Sequence, residues 1–306
     1  MFKKIALTAL IGAALISAAG CGGSDKKADS SAASGAKKVT IGFSVSTQNN
    51  PFFVTMANSV KAAAEKAGVN VKIVDAQNDP AKQSNDIADL LQGNISVLFV
   101  NPVDFAAVSY SVLAAYKAKI PVITIDRASD KGEVAVHIAS NNIKGGEMAA
   151  EYIVSKLGEG TPVAELEGIP GASASRERGQ GFHNIADKKL KVLAKQSANF
   201  DRSQGLTVSE NILQANPDVK AIFAQNDEMA LGAISAAKAA NKQIFIIGFD
   251  GTDDGVKAVK DGTMAATIAQ QPDKMGEIGV DAALKLAKGE NVEKNIAVDL
   301  KLIENK

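Results

Sequence analysis

The chain has 306 residues, room for about two domains. A formal net charge of +0 and the absence of any basic stripe exclude a nucleic-acid binder that works by charge. Hydrophobic residues make up an ordinary 46%, but Trp is absent and Arg stands only at Arg127, Arg176, Arg178 and Arg202, so Lys carries the general surface charge and each Arg is informative.

The first 20 residues read as an export signal. Phe2-Lys3-Lys4 is a charged start. Ile5 to Ile16 is apolar but too short to span a bilayer, and Ser17-Ala18-Ala19-Gly20 supplies small residues before Cys21, the single cysteine. A small-residue run ending in one Cys resembles the lipobox of bacterial lipoproteins, in which that Cys is lipid-modified and becomes the mature N-terminus. Ala18 stands where the usual pattern prefers Leu, which keeps an ordinary cleaved secretory signal as the alternative. Residues 21–38, mostly GGSDKKADSSAASGAKK, have no apolar periodicity and are expected to be a flexible tether. A lone Cys offers no internal disulfide, so the fold must stand on its core.

From Val39 short β-branched runs alternate with longer Ala/Lys/Glu segments. The predicted strands are VTIGFSV from Val39, VKIVDA from Val71, VLFVN from Val97, PVITID from Pro121 and VAVHIA from Val134. PVAELEG from Pro162, a weaker run near Val192, AIFAQND from Ala221, FIIGFD from Phe245 and ATIAQ from Ala266 follow. The intervening segments have helical spacing; in Phe53 to Ala67, Val54, Ala57, Val60 and Ala64 share one face and Lys61, Glu65 and Lys66 the other. Near-continuous apolar strands separated by helices predict parallel sheets covered on both faces. About ten such units suit two doubly wound α/β domains. A single eight-fold barrel is disfavoured by the count and by the turn from Arg127 to Glu133, too short for a crossover helix.

Doubly wound sheets bind ligands beyond the carboxyl ends of their strands. At those ends stand Ser44 to Asn50, Asp75, Asn101, Asp126-Arg127, Asn226-Asp227, Asp250 and Gln270. No cofactor is implied, because no G-x-G-x-x-G follows a strand and no Walker sequence occurs. No metal is implied either, since His137 and His183 lack ligand spacing. Neither His has an obvious nucleophile partner and no G-x-S-x-G is present, which argues against an enzyme. Carboxylates, amides and an Arg fork exchange hydrogen bonds with hydroxyls, and aromatic faces attract polarised C–H edges. Such a set suits a neutral polyhydroxylated ring. Each residue also has an ordinary reading. Phe52 and Phe53, in TQNNPFF, are candidates for the apolar start of a helix, Asp126 and Asp250 for helix N-caps, Arg178 for a surface ion pair, and Asn226 and Gln270 for loop amides. Their recurrence at one topological place in both halves favours the shared site.

Over essentially all of Val39 to Lys306 the sequence resembles the periplasmic ribose-binding proteins of sugar ABC transporters. The stretches that carry the resemblance are NNPFF (Asn49 to Phe53), PVITIDR (Pro121 to Arg127), HIASNN (His137 to Asn142) and ASASRERGQGF (Ala172 to Phe182). NFDRSQGL (Asn199 to Leu206), FAQNDEMALGA (Phe223 to Ala233), GFDGT (Gly248 to Thr252) and ATIAQQPD (Ala266 to Asp273) complete them. The resemblance implies a type I periplasmic binding protein with a three-segment hinge. One lobe would comprise 39–140 plus 271–298, the other 141–270 plus 299–306. Asn50, Asp126 and Arg127 would bind hydroxyls from the first lobe, and Arg178, Asn226, Asp250 and Gln270 from the second. Phe52, Phe53 and Phe200 would pack on the ring faces, Phe200 being implied by the resemblance alone. The implied ligand is D-ribose, with another pentose, allose or a furanosyl signalling molecule as alternatives. The implied partner is the ABC permease, with a chemotaxis receptor as a further candidate, and the chain would act as a monomer anchored through Cys21 to the outer face of the cell membrane. An exported sugar-acting enzyme and a repressor are the rival classes; the first lacks a nucleophile here and the second would carry a helix-turn-helix in place of the signal.

Overall fold

The computed structural model describes residues 38–305. The signal segment, Cys21 and all but the last residue of the tether lie outside the described residues. Strand β1 (Thr40–Val45) leads into α1 (Pro51–Lys66), β2 (Asn70–Asp75), α2 (Pro80–Gln92), β3 (Val97–Val100), α3 (Ser109–Lys117), β4 (Val122–Ile125) and β5 (Val136–Ser140). A second series follows: α4 (Asn142–Leu157), β6 (Pro162–Glu167), α5 (Ser173–Lys189), β7 (Lys191–Ser197), α6 (Arg202–Ala215) and β8 (Ala221–Ala224). It continues through α7 (Asp227–Ala239), β9 (Phe245–Asp250), α8 (Asp253–Lys260) and β10 (Ala266–Ala269). The chain ends in α9 (Pro272–Ala287), β11 (Asn295–Val298) and β12 (Lys301–Glu304).

Two six-stranded sheets result, in the orders β11-β5-β4-β3-β1-β2 and β12-β10-β9-β8-β6-β7. Every pair is parallel except β12 with β10. These are two doubly wound α/β domains, the fold class that the alternation of apolar strands and helices predicts. The central strands β3, β4, β8 and β10 are buried at every position, as strands covered on both faces must be. In the first domain α1 and α9 cover one face around Met56, Val60 and Met275, while α2 and α3 cover the other around Ile87, Leu90 and Val112. In the second, α6 and α7 pack with Ile212, Met229 and Ala233, and α4 and α5 with Ile153 and Phe182.

Three points differ from, or add to, the sequence expectations. The strands β11 and β12 were not anticipated; each is a four-residue edge strand with a half-exposed pattern, NIAV and KLIE, too short and too polar to stand out. The connection from β4 to β5 holds no helix, yet the two strands pair in parallel. Ten irregular residues, 126–135, make that crossover. The chain therefore passes between the sheets after β5, between β10 and α9, and between β11 and β12.

Glycines let paired helices approach closely. A Cβ on Gly146 of α4 would lie 2.1 Å from the Arg178 carbonyl oxygen, and one on Gly181 of α5 would lie 1.9 Å from that of Ile143. Beside this contact sits Glu165, fully buried on β6, whose Oε2 lies 3.0 Å from His183 Nε2; His183 Nδ1 lies 2.6 Å from Asp187 Oδ1. The hydrogen bond to Glu165 is the main reason that the His183 pKa is raised to about 9. A raised histidine contributes stability that is fully present below its unfolded value of about 6.5 and is lost as pH rises through the folded value. Melting temperatures should therefore fall between about pH 6.5 and pH 9, and fall less in His183→Gln. Identical slopes in the two proteins would refute the charged pair.

The two domains also meet directly. Phe105 N donates to Gly171 O at 2.8 Å and Ala128 N to Ser173 Oγ at 2.9 Å. The Arg176 guanidinium lies 4.4 Å from the centre of the Phe105 ring. Among the described residues, no helix is long and apolar enough to cross a membrane.

Candidate functional site

The carboxyl ends of both sheets face one small cavity. Its lining is Asn50, Phe52, Phe53, Asp126, Arg127, Ala174, Arg178, Phe200, Asn226, Asp250 and Gln270. All ten sequence-predicted residues are thus brought together, and Ala174 is added. Of the other strand-end residues, Asp75 turns to accept from Gln77 N at 2.8 Å, while Asn101 and Asp227 sit behind the lining.

Two asparagines open helices toward the cavity. Asn50 caps α1, its Oδ1 accepting from Phe52 N at 2.9 Å, and Pro51 occupies the first turn, where its missing N–H is not needed. Asn226 caps α7, accepting from Met229 N at 2.9 Å, and its Nδ2 donates to Phe200 O at 3.2 Å. Each domain thereby points the positive end of a helix at the site.

The two aspartates do not take the ordinary role open to them in the sequence. Neither Asp126 nor Asp250 is a helix cap. Both have positive backbone angles, φ 65° and φ 116°. This is a conformation that costs about 1–3 kcal/mol in a non-glycine residue and gathers at functional sites. Asp126 sits in the irregular β4–β5 crossover, and Asp250 ends β9, just before the turn in which Thr252 caps α8.

Charges are balanced, two arginines against two aspartates. Arg127 Nε is 3.7 Å from Asp126 Oδ2, and Arg178 Nη1 is 3.7 Å from Asp250 Oδ1, both too long for direct hydrogen bonds. Each arginine is instead fixed from behind. Arg127 Nη1 donates to Pro102 O at 3.2 Å, and its guanidinium lies between the Phe53 and Phe200 rings, 5.0 and 5.3 Å from their centres. Arg178 donates from Nε to Asn142 Oδ1 at 2.9 Å and from Nη1 to Gln225 O at 2.7 Å, and stacks 3.8 Å from the centre of Phe249. Its sequence reading as a surface ion pair is excluded, since it is 3% exposed. Asn101 Nδ2 holds Asp126 Oδ2 at 3.1 Å, and Gln270 Nε2 holds Asp250 Oδ1 at 2.8 Å. Phe52 and Phe53 meet edge to face, 5.2 Å apart at 80°. Phe200 lies against Gly168, where a Cβ would come within 2.0 Å of its ring.

Burial outweighs these pairings. It lowers the Arg127 pKa to about 10 against the attraction of Asp126, and pushes Asp250 well above the ordinary carboxylate range against the attraction of Arg178. Asp126 Oδ1, Arg127 Nε and Gln270 Oε1 are buried with no hydrogen-bond partner among the described residues. Three orphaned polar atoms around one cavity mark acceptors and a donor kept for something else, because buried polar atoms are nearly always paired.

Asn101, Asn142, Gln225 and Phe249 support the lining but do not enter the sequence-derived set. Asn101 stands at a strand end and is readable to that extent; the other three act only through contacts between distant elements.

The fold is that of a two-domain binding protein, with a lined chamber at the meeting of two parallel sheets. The chain belongs to the periplasmic binding protein family: the periplasmic binding protein domain matches residues 41–291. The ribose import binding protein RbsB of Bacillus subtilis is 53% identical over 266 residues, 87% of each chain. That of Haemophilus influenzae is 55% identical over 265 residues, 86% of this chain and 91% of its own. Among solved structures, the Caulobacter myo-inositol binding protein bound to myo-inositol is 30% identical and superposes with a TM-score of 0.84, covering 87% of this chain and 93% of that one.

Proposed function

We propose that this protein is the substrate-binding component of an ABC importer and captures D-ribose in the cavity between its two domains. The observation that carries this reading is the convergence of all ten residues on one small, charge-balanced chamber. Ribose presents hydroxyls around its rim to Asp126, Arg127, Arg178, Asn226, Asp250, Asn50 and Gln270, and C–H patches on its faces to Phe52, Phe53 and Phe200. The identity to ribose import binding proteins, above one half, supports the same sugar.

The lobes in this reading are 39–140 plus 271–298 and 141–270 plus 299–306. The hinge lies at the three crossings, near Ser140-Asn141, Gln270-Gln271 and Asp299-Leu300. Sugar touches both lobes only when they close, so it shifts the population toward the closed form, whose surface the membrane permease reads. The chain works outside the cytoplasm, held to the membrane by lipid on Cys21, as a monomer, with a chemotaxis receptor as a further partner. Mass spectrometry of the mature N-terminus tests the anchor: a lipid-modified Cys21 supports it, and an unmodified N-terminus sinks it.

Calorimetric titration with D-ribose, D-allose and a second pentose tests the ligand. Ribose is expected to bind most tightly, since a buried group left without its hydroxyl costs about 1–3 kcal/mol. Tighter binding of another sugar, with no heat from ribose, would overturn the ribose assignment.

A further inference from the structure

One buried carboxylate lies just behind the lining. Asp227, 0% exposed, opens α7 directly after Asn226, yet it does not cap that helix, since Asn226 does. Its Oδ2 accepts from Thr252 N at 2.8 Å and from Thr252 Oγ1 at 3.0 Å, and its Oδ1 accepts from Thr267 Oγ1 at 2.7 Å. Thr267 Oγ1 in turn accepts from Gly251 N at 3.2 Å. One side chain thereby ties the start of α7 to the β9–α8 turn and to β10. The backbone makes room for it: a Cβ on Gly248 would lie 2.2 Å from Asp227 Oδ1, and one on Gly255 would lie 2.2 Å from Oδ2.

Gly251 and Thr252 directly follow Asp250. The turn they form is left-handed, with φ 116° at Asp250 and 71° at Gly251. Such a backbone persists only where its surroundings hold it. Gln270 N holds the Asp250 carbonyl on one side at 2.9 Å, and the Asp227 anchor holds the next two residues on the other.

We propose that Asp227 is a positioning residue for the sugar: by gripping the Gly251-Thr252 turn and Thr267 it aims Asp250 into the cavity. The proposal rests on the reading of that cavity as the D-ribose site. Asp227 has a second effect, through charge. It raises the proton affinity of Asp250, after burial, which is the larger cause; Arg178 opposes, and Asp126 and Arg127 are the other charges that face Asp250. Sugar hydroxyls donate to ionised Asp250, so ribose affinity falls as pH drops through the pKa of Asp250. A neutral residue at position 227 moves that acid limb to lower pH. Asn retains a carbonyl for Thr252 N and can donate its amide to Thr267 Oγ1, so it keeps the grip while removing the charge.

The test is calorimetric titration of D-ribose into the full chain across an acidic-to-neutral pH series. The proteins compared are wild type, Asp227→Ala, Asp227→Asn, Asp250→Ala and Val259→Ala, the last a buried α8 side chain that does not line the cavity. Asp227→Ala is expected to weaken binding at least about tenfold. Asp227→Asn should recover most of that loss and shift the acid limb downward, and Val259→Ala should leave affinity unchanged although it loosens α8, the helix that follows the gripped turn. Wild-type affinity in Asp227→Ala, or a loss in Val259→Ala as large as in Asp227→Ala, overturns the proposal. Should Asp227→Ala fail to fold, Thr267→Val, which removes one arm of the grip, decides: wild-type affinity there overturns the proposal. If Asp250→Ala loses binding while Asp227→Ala keeps it, the site stands and only this inference falls. Equal affinity of wild type and Asp250→Ala removes Asp250 from the site, and the inference with it.

Discussion

Replacing Arg178 by Ala is expected to weaken D-ribose binding about a hundredfold or more, within the ~2–5 kcal/mol that truncating one member of a buried, hydrogen-bonded charge pair costs. Arg178 is almost wholly enclosed and serves three directions at once. It reaches Asn142 and the Gln225 carbonyl on its own domain, stacks on Phe249, and faces Asp250 at 3.7 Å. Its removal deletes a donor to the sugar. It also leaves Asp250 buried with Arg127 as the remaining positive charge, and burial already pushes Asp250 toward its protonated form. Both losses act on the sugar complex. Arg178→Lys should restore little of the affinity, because an ammonium cannot stack flat on Phe249 while forking to two acceptors. Calorimetry on the two variants measures this: wild-type affinity in Arg178→Ala would take Arg178 out of the site, and in Arg178→Lys would refute the need for a planar fork.

The second large effect is on stability. Gly181→Ala should cost about 3 kcal/mol or more, because its Cβ would come 1.9 Å from the Ile143 carbonyl oxygen, a backbone atom that cannot rotate away. Relief requires α4 and α5 to separate along a contact that Gly146 also keeps close, 2.1 Å from Arg178 O. Since α5 carries Arg178, the shift should weaken ribose binding as well as lower the denaturant midpoint. A variant with Gly replaced at an open position offers the contrast: Gly158→Asn, at φ 88° with nothing within 4 Å of a Cβ, tests backbone conformation without the clash. A loss under about 1 kcal/mol in Gly181→Ala would show that packing between α4 and α5 does not forbid a Cβ there.

How much of this was legible in the sequence differs by residue. Asn50, Asp126, Arg127, Asn226, Asp250 and Gln270 follow from one rule, that ligands bind beyond the carboxyl ends of parallel strands. Phe200 does not, and the resemblance alone supplied it. It sits after β7, an edge strand with exposed and half-buried positions throughout, in a left-handed turn with Asn199. A local pattern has nothing to register there. The special backbone of Asp126 and Asp250 was also hidden. An Asp after a strand most often caps a helix, and only the irregular β4–β5 crossover and the Asp227 anchor turn these two residues into the cavity instead. Asp227 itself was visible at a strand end, but its direction, away from the cavity and into the turn behind Asp250, depends on glycines 21 and 28 positions later in the chain, Gly248 and Gly255. Gln225, Asn142 and Phe249 were silent for the same reason: each matters through a partner on another element. The short edge strands β11 and β12 were too brief and too polar to read, although they complete the two sheets.

The central claim is that both domains enclose one D-ribose in the chamber at the ends of the two sheets. A crystal structure of the protein grown with D-ribose tests it most directly. The account predicts the sugar inside that chamber, with hydroxyls within hydrogen-bonding distance of Asp126 Oδ1, Arg127 Nε and Gln270 Oε1, three lining atoms buried without a hydrogen-bond partner among the described residues. Ribose bound at another surface, or a chamber whose three orphaned atoms stay unmatched in crystals saturated with the sugar, would contradict it.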